Sequence, residues 1–525
     1  MAAMWKLSLL SSLLLVSRAA ALPTATFEAD ISLITPPPDA KAIYAAQDLR
    51  RRGIISDITG ALESDLNSIF SELGSAVPSY VASGVLPGFQ NYPTGSSAIL
   101  KSVGGKSTDL DAQPTQVLNI PGYGNWTDAG WNLRFHGNVF KAPANVSEST
   151  WDDLANKFLI NTKVQNLPPS QSAQAVNLTK EIFVVQQANQ NVTFNLLPGS
   201  SAGSSGEPGG GGGVTPAAGS EYITLPYKTT DEGDYDVFLP LTNSTLTGLT
   251  GLTPGNGTLP PQRLNVYATG TDTGNATSYL VSENGLIIVS DIDDTLRVTK
   301  IYEPAQGLLN TFAKPFTPWM NMPSIYSNWS ASLPDMHFHY LTTTPEQITP
   351  NYMQFIYDTY PGGSFDTRPL NFSDVSATLS IRKALLVKIF QSFPHRKFIL
   401  IGDTSNSDVM RDYPAMATEF PGQVQCIFLR NISATDPGDK FPYDTSGFKN
   451  LNQQSYMFFL TPDDLTNLDI AGGHCLNATI KQNVTFSYQG LPFGLSDSSS
   501  GAVEKTWSKA VAFLMPLVVF VVVAL

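Results

Sequence analysis

The chain is short of cysteine, of histidine and of charge. It holds two cysteines, Cys426 and Cys475, five histidines, and a charged fraction of only 14% in 525 residues. Two cysteines exclude a zinc centre built from thiolates alone and allow at most one intrachain disulfide, whose formation the spacing leaves open. Lys and Arg number 31 against 44 Asp and Glu, a net charge of −13, which argues against non-specific nucleic-acid binding because that depends on cations neutralising phosphates. The glycine run Gly209 to Gly213 is followed by no Gly-Lys-Ser/Thr and no helical pattern, so it is not a nucleotide phosphate loop. Neither apolar run at the ends is long enough to cross ~30 Å of hydrocarbon.

What the ends do carry is a pair of processing patterns. Lys6, the apolar stretch Leu7 to Val16 and the small residues Ala19-Ala20-Ala21 predict a secretory signal peptide over 1–21. Small residues Ser498 to Ala502, a polar spacer to Lys509 and an apolar tail from Ala510 to Leu525 predict a glycosylphosphatidylinositol attachment signal over 498–525, hence a chain held at the cell surface or wall by a lipid anchor. Twelve Asn-x-Ser/Thr sequons, at Asn125, Asn145, Asn177, Asn191, Asn243, Asn256, Asn275, Asn328, Asn371, Asn431, Asn477 and Asn483, fit an exported glycoprotein.

The remaining length supports two folded domains. Ile54, Ile58, Leu62 and Leu66 recur at four-residue spacing and predict a helical segment over 39–86. From 114 to 274 the period changes to two, in Trp131, Leu133, Phe135 and in Tyr235, Val237, Leu239, Leu241, predicting an all-β, sandwich-like domain interrupted by a Gly-rich loop over 198–219. From 275 to 489 strand runs (Leu286 to Ser290, Met336 to Thr342, Lys397 to Ile401, Gln425 to Arg430) alternate with helical ones, predicting an α/β domain with a doubly wound parallel sheet. Ligands in such sheets bind beyond the carboxyl ends of the strands.

The polar residues of interest fall at those ends. Leu286 to Ser290 delivers Asp291-Ile292-Asp293-Asp294-Thr295, and carboxylates two residues apart at a strand exit point to one side. Their mutual repulsion is offset by a divalent cation, leaving one to act as nucleophile and its neighbour to move protons. A calcium loop is ruled out, because its sixth and twelfth positions are Leu296 and Tyr302. Hydroxyls of Thr342-Thr343-Thr344 end the next strand, Lys383 sits early in an amphipathic helical run with Arg382 and Lys388 as alternatives, and Asp403 and Asp408 follow the strand Phe398 to Ile401. Acidic pair, hydroxyl, cation, acidic pair is an order that suits phosphoryl transfer with magnesium. Leu308 to Trp329 is rich in apolar residues, either a small cap admitting acyl chains or ordinary core.

Ser290-Asp291-Ile292-Asp293-Asp294-Thr295, Tyr340-Leu341-Thr342 and Phe393 to Asp403 together resemble the catalytic domain of fungal phosphatidate phosphatases of the actin-patch-protein family, within the haloacid dehalogenase superfamily. The resemblance implies a haloacid dehalogenase-like fold in which Asp291 is the nucleophile and Asp293 the acid and base. It further implies that Asp291, Asp293 (through its carbonyl), Asp403 and Asp408 hold Mg2+, and that Thr342 and Lys383 bind phosphoryl oxygens. The sequence departs from the family in Thr342-Thr343-Thr344-Pro345, where Ser-Asn-Ser-Pro is usual, and in Thr404-Ser405, where Ser-Gly is usual. The expected substrate is phosphatidate or a related lipid phosphate. The alternatives are another extracellular phosphomonoester, or a surface binding or adhesion role with a degenerate catalytic domain.

Overall fold

The computed structural model describes residues 95–199, 221–241, 249, 251–368, 375–436, 443–482, 484–486 and 488–489. Segments 1–21, 39–86 and 498–525, and nearly all of the Gly-rich loop, lie outside these residues. Among the described residues no helix is long and apolar enough to cross a membrane.

Helices α1 (Ser96–Val103) and α2 (Ser107–Asp111) precede strands β1 (Gln116–Asn119), β2 (Tyr123–Thr127) and β3 (Gly130–Lys141). Helices α3 (Glu148–Ala155) and α4 (Pro169–Ile182) then lead to β4 (Val185–Gln186), β5 (Thr193–Pro198), β6 (Glu221–Thr224), β7 (Asp234–Pro240), β8 (Gln262–Ala268) and β9 (Asn275–Val281). The nine strands make one hydrogen-bonded sheet, antiparallel except where β2 meets β9. The long β3 is its spine, with β7 and β4 along one edge and β2 and β1 along the other. Period two explains both faces of β3: Trp131, Leu133 and Phe135 enter the apolar core, and the Phe135 ring stacks on Phe194 of β5 at 5.2 Å, so the sheet curls over itself.

Two expectations need correction here. Residues 114–274 are not all β, because α3 and α4 bury Trp151, Leu154 and Ala155, and Ala175, Leu178 and Ile182, at helical spacing. The boundary at 275 also moves. β9 pairs with β2 and β8, so the first unit runs to Val281.

The second unit contains β10 (Leu286–Ser290), α5 (Pro304–Phe312), α6 (Met322–Ser332), β11 (His337–Pro345), α7 (Thr349–Thr359), β12 (Ser364–Arg368), α8 (Val375–Ser392), β13 (Lys397–Asp403), α9 (Ser407–Glu419) and β14 (Val424–Arg430). After β14 come β15 (Tyr443–Asp444), β16 (Tyr456–Phe459) and β17 (Tyr488–Gln489), with β15 and β17 forming a separate small ribbon. The main sheet is parallel throughout, in the order β12-β11-β10-β13-β14-β16. It is a doubly wound α/β sheet whose strand order reverses between β10 and β13. The continuous apolar run of β10 is explained by burial on both faces: Ile288 packs with Phe338 and Tyr326 on one side, and Ile287 and Val289 pack with Leu386, Phe390 and Val409 on the other. Cys426 of β14 and Cys475 are disulfide-bonded, with Cα atoms 5.4 Å apart.

Buried polar contacts join the units. Arg134 of β3 pairs with Asp236 of β7 at 2.8 Å and with Asp366 of β12 at 2.7 Å, and Lys388 of α8 also pairs with Asp236. Asp366 in turn meets His339 Nε2 at 3.2 Å. At the junction itself the Arg396 guanidinium donates to the carbonyls of Ser282, Asn284, Leu286 and Asp335.

Candidate active site

Asp291 leaves β10 beside the point where the strand order reverses, and its amide donates to the Ile401 carbonyl of β13 at 2.8 Å. The carboxylate is 1% exposed. Its Oδ1 accepts from the Ile292 amide at 3.0 Å and from Arg382 at 3.2 Å, and its Oδ2 accepts from Asn406 Nδ2 at 3.2 Å. Burial pushes its pKa up to about 6; Arg382 works against that rise and Asp293 adds to it. Burial likewise opposes the charge of Arg382, but the Asp291 carboxylate outweighs it and holds that pKa above the ordinary arginine value.

Asp293 is encircled by donors. Thr299 Oγ1 lies 2.8 Å from its Oδ1, Tyr352 OH reaches both oxygens at 3.0 and 3.2 Å, and Thr342 and Thr344 hydroxyls lie 3.3 and 3.4 Å from Oδ2. Arg297 Nε stands 3.7 Å from Oδ1, its guanidinium laid over the Phe316 ring at 3.5 Å. The third carboxylate of the motif does different work. Asp294 sits at φ 54° and accepts from the amides of Thr299, Lys300 and Ile301 at 2.7 to 3.0 Å, fixing the loop that turns back over Asp293. Arg430, at the end of β14, donates to its carbonyl.

Asp403 ends β13, next to the strand that delivers Asp291. Its Oδ1 accepts from the amide and hydroxyl of Ser405 at 2.7 and 2.6 Å, while its buried Oδ2 has no hydrogen-bond partner. Burial, with the charges of Asp291 and Asp294, raises its pKa well above the carboxylate range. An isolated oxygen of this kind, one strand from a second buried carboxylate, suits a hard cation. Asp408 opens α9 with Oδ1 3.4 Å from Arg411, and burial lifts its pKa to about 6 against the pull of that arginine. Among the described residues no three acidic, histidine or cysteine side chains converge as a ready-made cage. The donor set therefore fits an ion that takes one or two carboxylates and completes its shell with carbonyl, water and phosphate oxygens.

Five of the six residues singled out in the sequence are thus drawn to one end of the sheet: Asp291, Asp293, Thr342, Asp403 and Asp408. Lys383 is not. It pairs with Glu419 on the surface, its side chain 42% exposed, and the buried cation on Asp291 is its neighbour Arg382. The helical phase of α8 carries the reason, since Leu385, Leu386, Ile389 and Phe393 are buried and lie three, four, seven and eleven residues after Arg382. Tyr352 and Asn406 were legible only through tertiary structure, because a tyrosine in a helical run and an asparagine at a helix start carry no chemical signal alone. Asn406 also caps α9, accepting from Asp408 N. The apolar stretch after the acidic pair is mostly core, with Phe312, Trp319, Met322 and Tyr326 buried and Met320 59% exposed. His337 and His339 share the Ser364 hydroxyl at 2.7 and 2.8 Å.

Residues 286–431 match the family described as "Phosphatidate phosphatase APP1, catalytic domain". The chain is 29% identical over 160 residues to phosphatidate phosphatase APP1 of Saccharomyces cerevisiae, covering 29% of this chain and 27% of that protein. It is also 29% identical over 163 residues to an uncharacterized protein of Schizosaccharomyces pombe, covering 29% of this chain and 26% of that one. The match thus spans about a quarter of the length of these curated relatives.

Proposed function

We propose that this chain, whose residues 286–431 match the phosphatidate phosphatase APP1 catalytic-domain family, hydrolyses the phosphate ester of phosphatidate or a related lipid phosphate. The observation that carries the reading is the pairing of a buried, arginine-clamped Asp291 with a donor-ringed Asp293 at the carboxyl end of the central strand. In this reading an Asp291 oxygen attacks phosphorus, forming an aspartyl-phosphate as the ester oxygen departs with a proton from Asp293. Asp293 then takes a proton from water, the water oxygen attacks the same phosphorus, and inorganic phosphate leaves with Asp291 restored. Arg382 and Asn406 aim the nucleophile. The hydroxyls of Thr342, Thr344 and Tyr352 and the guanidinium of Arg297 keep Asp293 in place, and Thr342 would exchange its bond to Asp293 for one to a phosphoryl oxygen when substrate binds.

Mg2+ is the cofactor that fits this donor set. Asp291, Asp403 and the Asp293 carbonyl would hold it, with Asp408 acting through water, and when bound it neutralises charge on the phosphoryl group. We also propose export, with a signal peptide over 1–21, N-glycans and a lipid anchor over 498–525. The Cys426–Cys475 disulfide supports an oxidising compartment. Exposed Asn145, Asn177, Asn191, Asn256 and Asn328 are open acceptors, whereas the Asn125 amide is already given to the Ser392 carbonyl at 2.9 Å.

The deciding experiment is phosphate release from phosphatidate vesicles by the secreted chain with and without magnesium, beside Asp291→Asn and a soluble phosphomonoester. Lipid-preferring, magnesium-dependent release that Asp291→Asn abolishes is the expected result. Equal use of the soluble ester would shift the assignment to another phosphomonoester, and no release from either would leave a binding or adhesion role.

A further inference from the structure

Three of the hydroxyls around Asp293 stand on either side of one short turn. Thr342 and Thr344 belong to β11, Tyr352 belongs to α7, and the 3₁₀ turn Glu346–Ile348 joins the two elements. Thr344 Oγ1 also lies 3.2 Å from Tyr352 OH, so Asp293 keeps these donors only while the turn keeps their spacing. Glu346 and Gln347 are each 5% exposed, buried at the contact between the units. Helix α4 of the first unit packs against the turn, and Gln347 and Pro350 share a cavity wall with Leu118, Asn138 and Phe140 of β1 and β3.

The bond across this contact joins two carboxyls, one from each unit. Asp234 opens β7, Glu346 opens the turn, and the two side chains are hydrogen-bonded. Burial, with the charge of Asp234, raises the Glu346 carboxyl well above the carboxylate range, so Glu346 keeps its proton and is the donor. A bond from a carboxyl O–H to a carboxylate is charge-assisted, and stronger than one between neutral groups. Each partner is braced by an amide. Asn138 Nδ2 donates to Asp234 Oδ1 at 2.6 Å and to the Glu232 carbonyl at 2.7 Å, and Gln347 Nε2 donates to Glu346 Oε1 at 3.1 Å. Two further bonds keep the units in register: the Phe365 amide of β12 donates to the Pro121 carbonyl at 2.8 Å, and Asn125 donates to the Ser392 carbonyl of α8 at 2.9 Å.

We infer that the first unit positions the catalytic site: the Asp234–Glu346 bond pins the turn that spaces Thr342 and Thr344 from Tyr352, and through those hydroxyls it holds Asp293. Asp234 and Glu346 are positioning residues, since they act through the hydroxyls and not on the substrate. The inference rests on the acid and base role given to Asp293 above. Asp234 precedes the matched stretch 286–431, so the reaction draws on a part of the chain outside it.

The test combines hydrogen-exchange mass spectrometry with steady-state phosphate release from phosphatidate vesicles, on the full chain and on Glu346→Leu, Asp234→Ala, their double variant and Glu346→Gln. Glu346→Gln keeps a donor for Asp234 and an acceptor for Gln347, so it should match the parent. Glu346→Leu and Asp234→Ala should each speed exchange over 345–353 while leaving that of β13 unchanged, which shows an intact fold. Each should lower kcat about tenfold with KM within about twofold, the scale for a modest misplacement of an acid–base group, and the double variant should lose no more than either alone. Unchanged exchange over 345–353, unchanged kcat, losses that multiply in the double variant, or a Glu346→Gln as impaired as Glu346→Leu would each overturn the inference. If the parent releases no phosphate from phosphatidate or from a soluble ester, the proposed function fails and the exchange arm alone decides. Faster exchange confined to 345–353 then sustains the link between the units, and unchanged exchange removes it.

Discussion

Arg382 and Asp291 form a buried pair at 3.2 Å, while Lys383, one residue on, points to solvent and Glu419. Arg382→Ala should therefore lower phosphate release by on the order of 10²-fold, the scale for losing one charged group aimed at a reacting centre. Lys383→Ala should leave release unchanged and shift stability by less than ~0.5 kcal/mol, as surface changes do. Parallel kinetics of the two alanine variants check this, and an equal loss in both would contradict the placement of Arg382.

Tyr352 donates to both oxygens of Asp293 without lying on the strand that carries the nucleophile. Tyr352→Phe removes only that hydroxyl. If Asp293 acts as acid and base, kcat should fall more than KM changes. A change in KM alone would make Tyr352 a substrate contact instead.

Burial places the Asp291 and Asp408 carboxyls at about 6, against ~3.9 for an exposed aspartate. Because these folded-state values are raised, the two groups contribute stability that is fully present below about pH 4 and is lost as pH rises through about 6. In chelator the thermal midpoint should rise as pH falls from about 7 to about 5, with the Asp291 share on the order of 2 kcal/mol. Asp291→Asn should flatten that slope. Differential scanning calorimetry across this range reads it directly, and a slope of opposite sign or one unaffected by the substitution would refute it.

Arg134 links Asp236 and Asp366 across the two units and is itself 2% exposed. Burial alone would lift both aspartates, yet Arg134 and its partners hold their pKa values below the ordinary range. Arg134→Met would leave the buried Asp366 short of its counter-charge and Asp236 with Lys388 alone, and should cost about 3–5 kcal/mol. Denaturant unfolding of Arg134→Met and of the double variant Arg134→Met/Asp366→Asn separates the lost pair from the stranded charge, since the second substitution should recover part of the loss.

Much of the α/β unit could be read in advance because its central strands are continuous apolar runs between turn residues. Leu286 to Ser290 is the clearest. Two strands of the same sheet escaped that reading for different reasons. β12, Ser-Phe-Asp-Thr-Arg, is polar because Ser364 and Asp366 serve His337, His339 and Arg134 rather than a greasy face. β16, Tyr-Met-Phe-Phe, is apolar but only four residues long, too short to establish a period. The acidic residues of the site were visible because strand ends are where this topology gathers chemistry. Arg382 and Lys383 carry the same charge and differ in helical phase, which turns Arg382 to the buried face and Lys383 to solvent, and Asn406 and Tyr352 depend on loops and helices meeting in space.

Strand β16 and Cys475, which is bonded to Cys426 of β14, lie beyond residue 431, outside the stretch that matches the catalytic family. β16 hydrogen-bonds along Ile427 to Arg430 of β14, whose side chains from Cys426 to Leu429 are all fully buried. A chain trimmed to the matched stretch would present that row of backbone donors and acceptors naked, flanked by apolar residues and a lone thiol. Such a border recruits another copy of itself. The stretch that carries β16 thus serves as a hem: it closes the fabric of the sheet on the side away from the first unit, and the Cys426–Cys475 bond stitches it down.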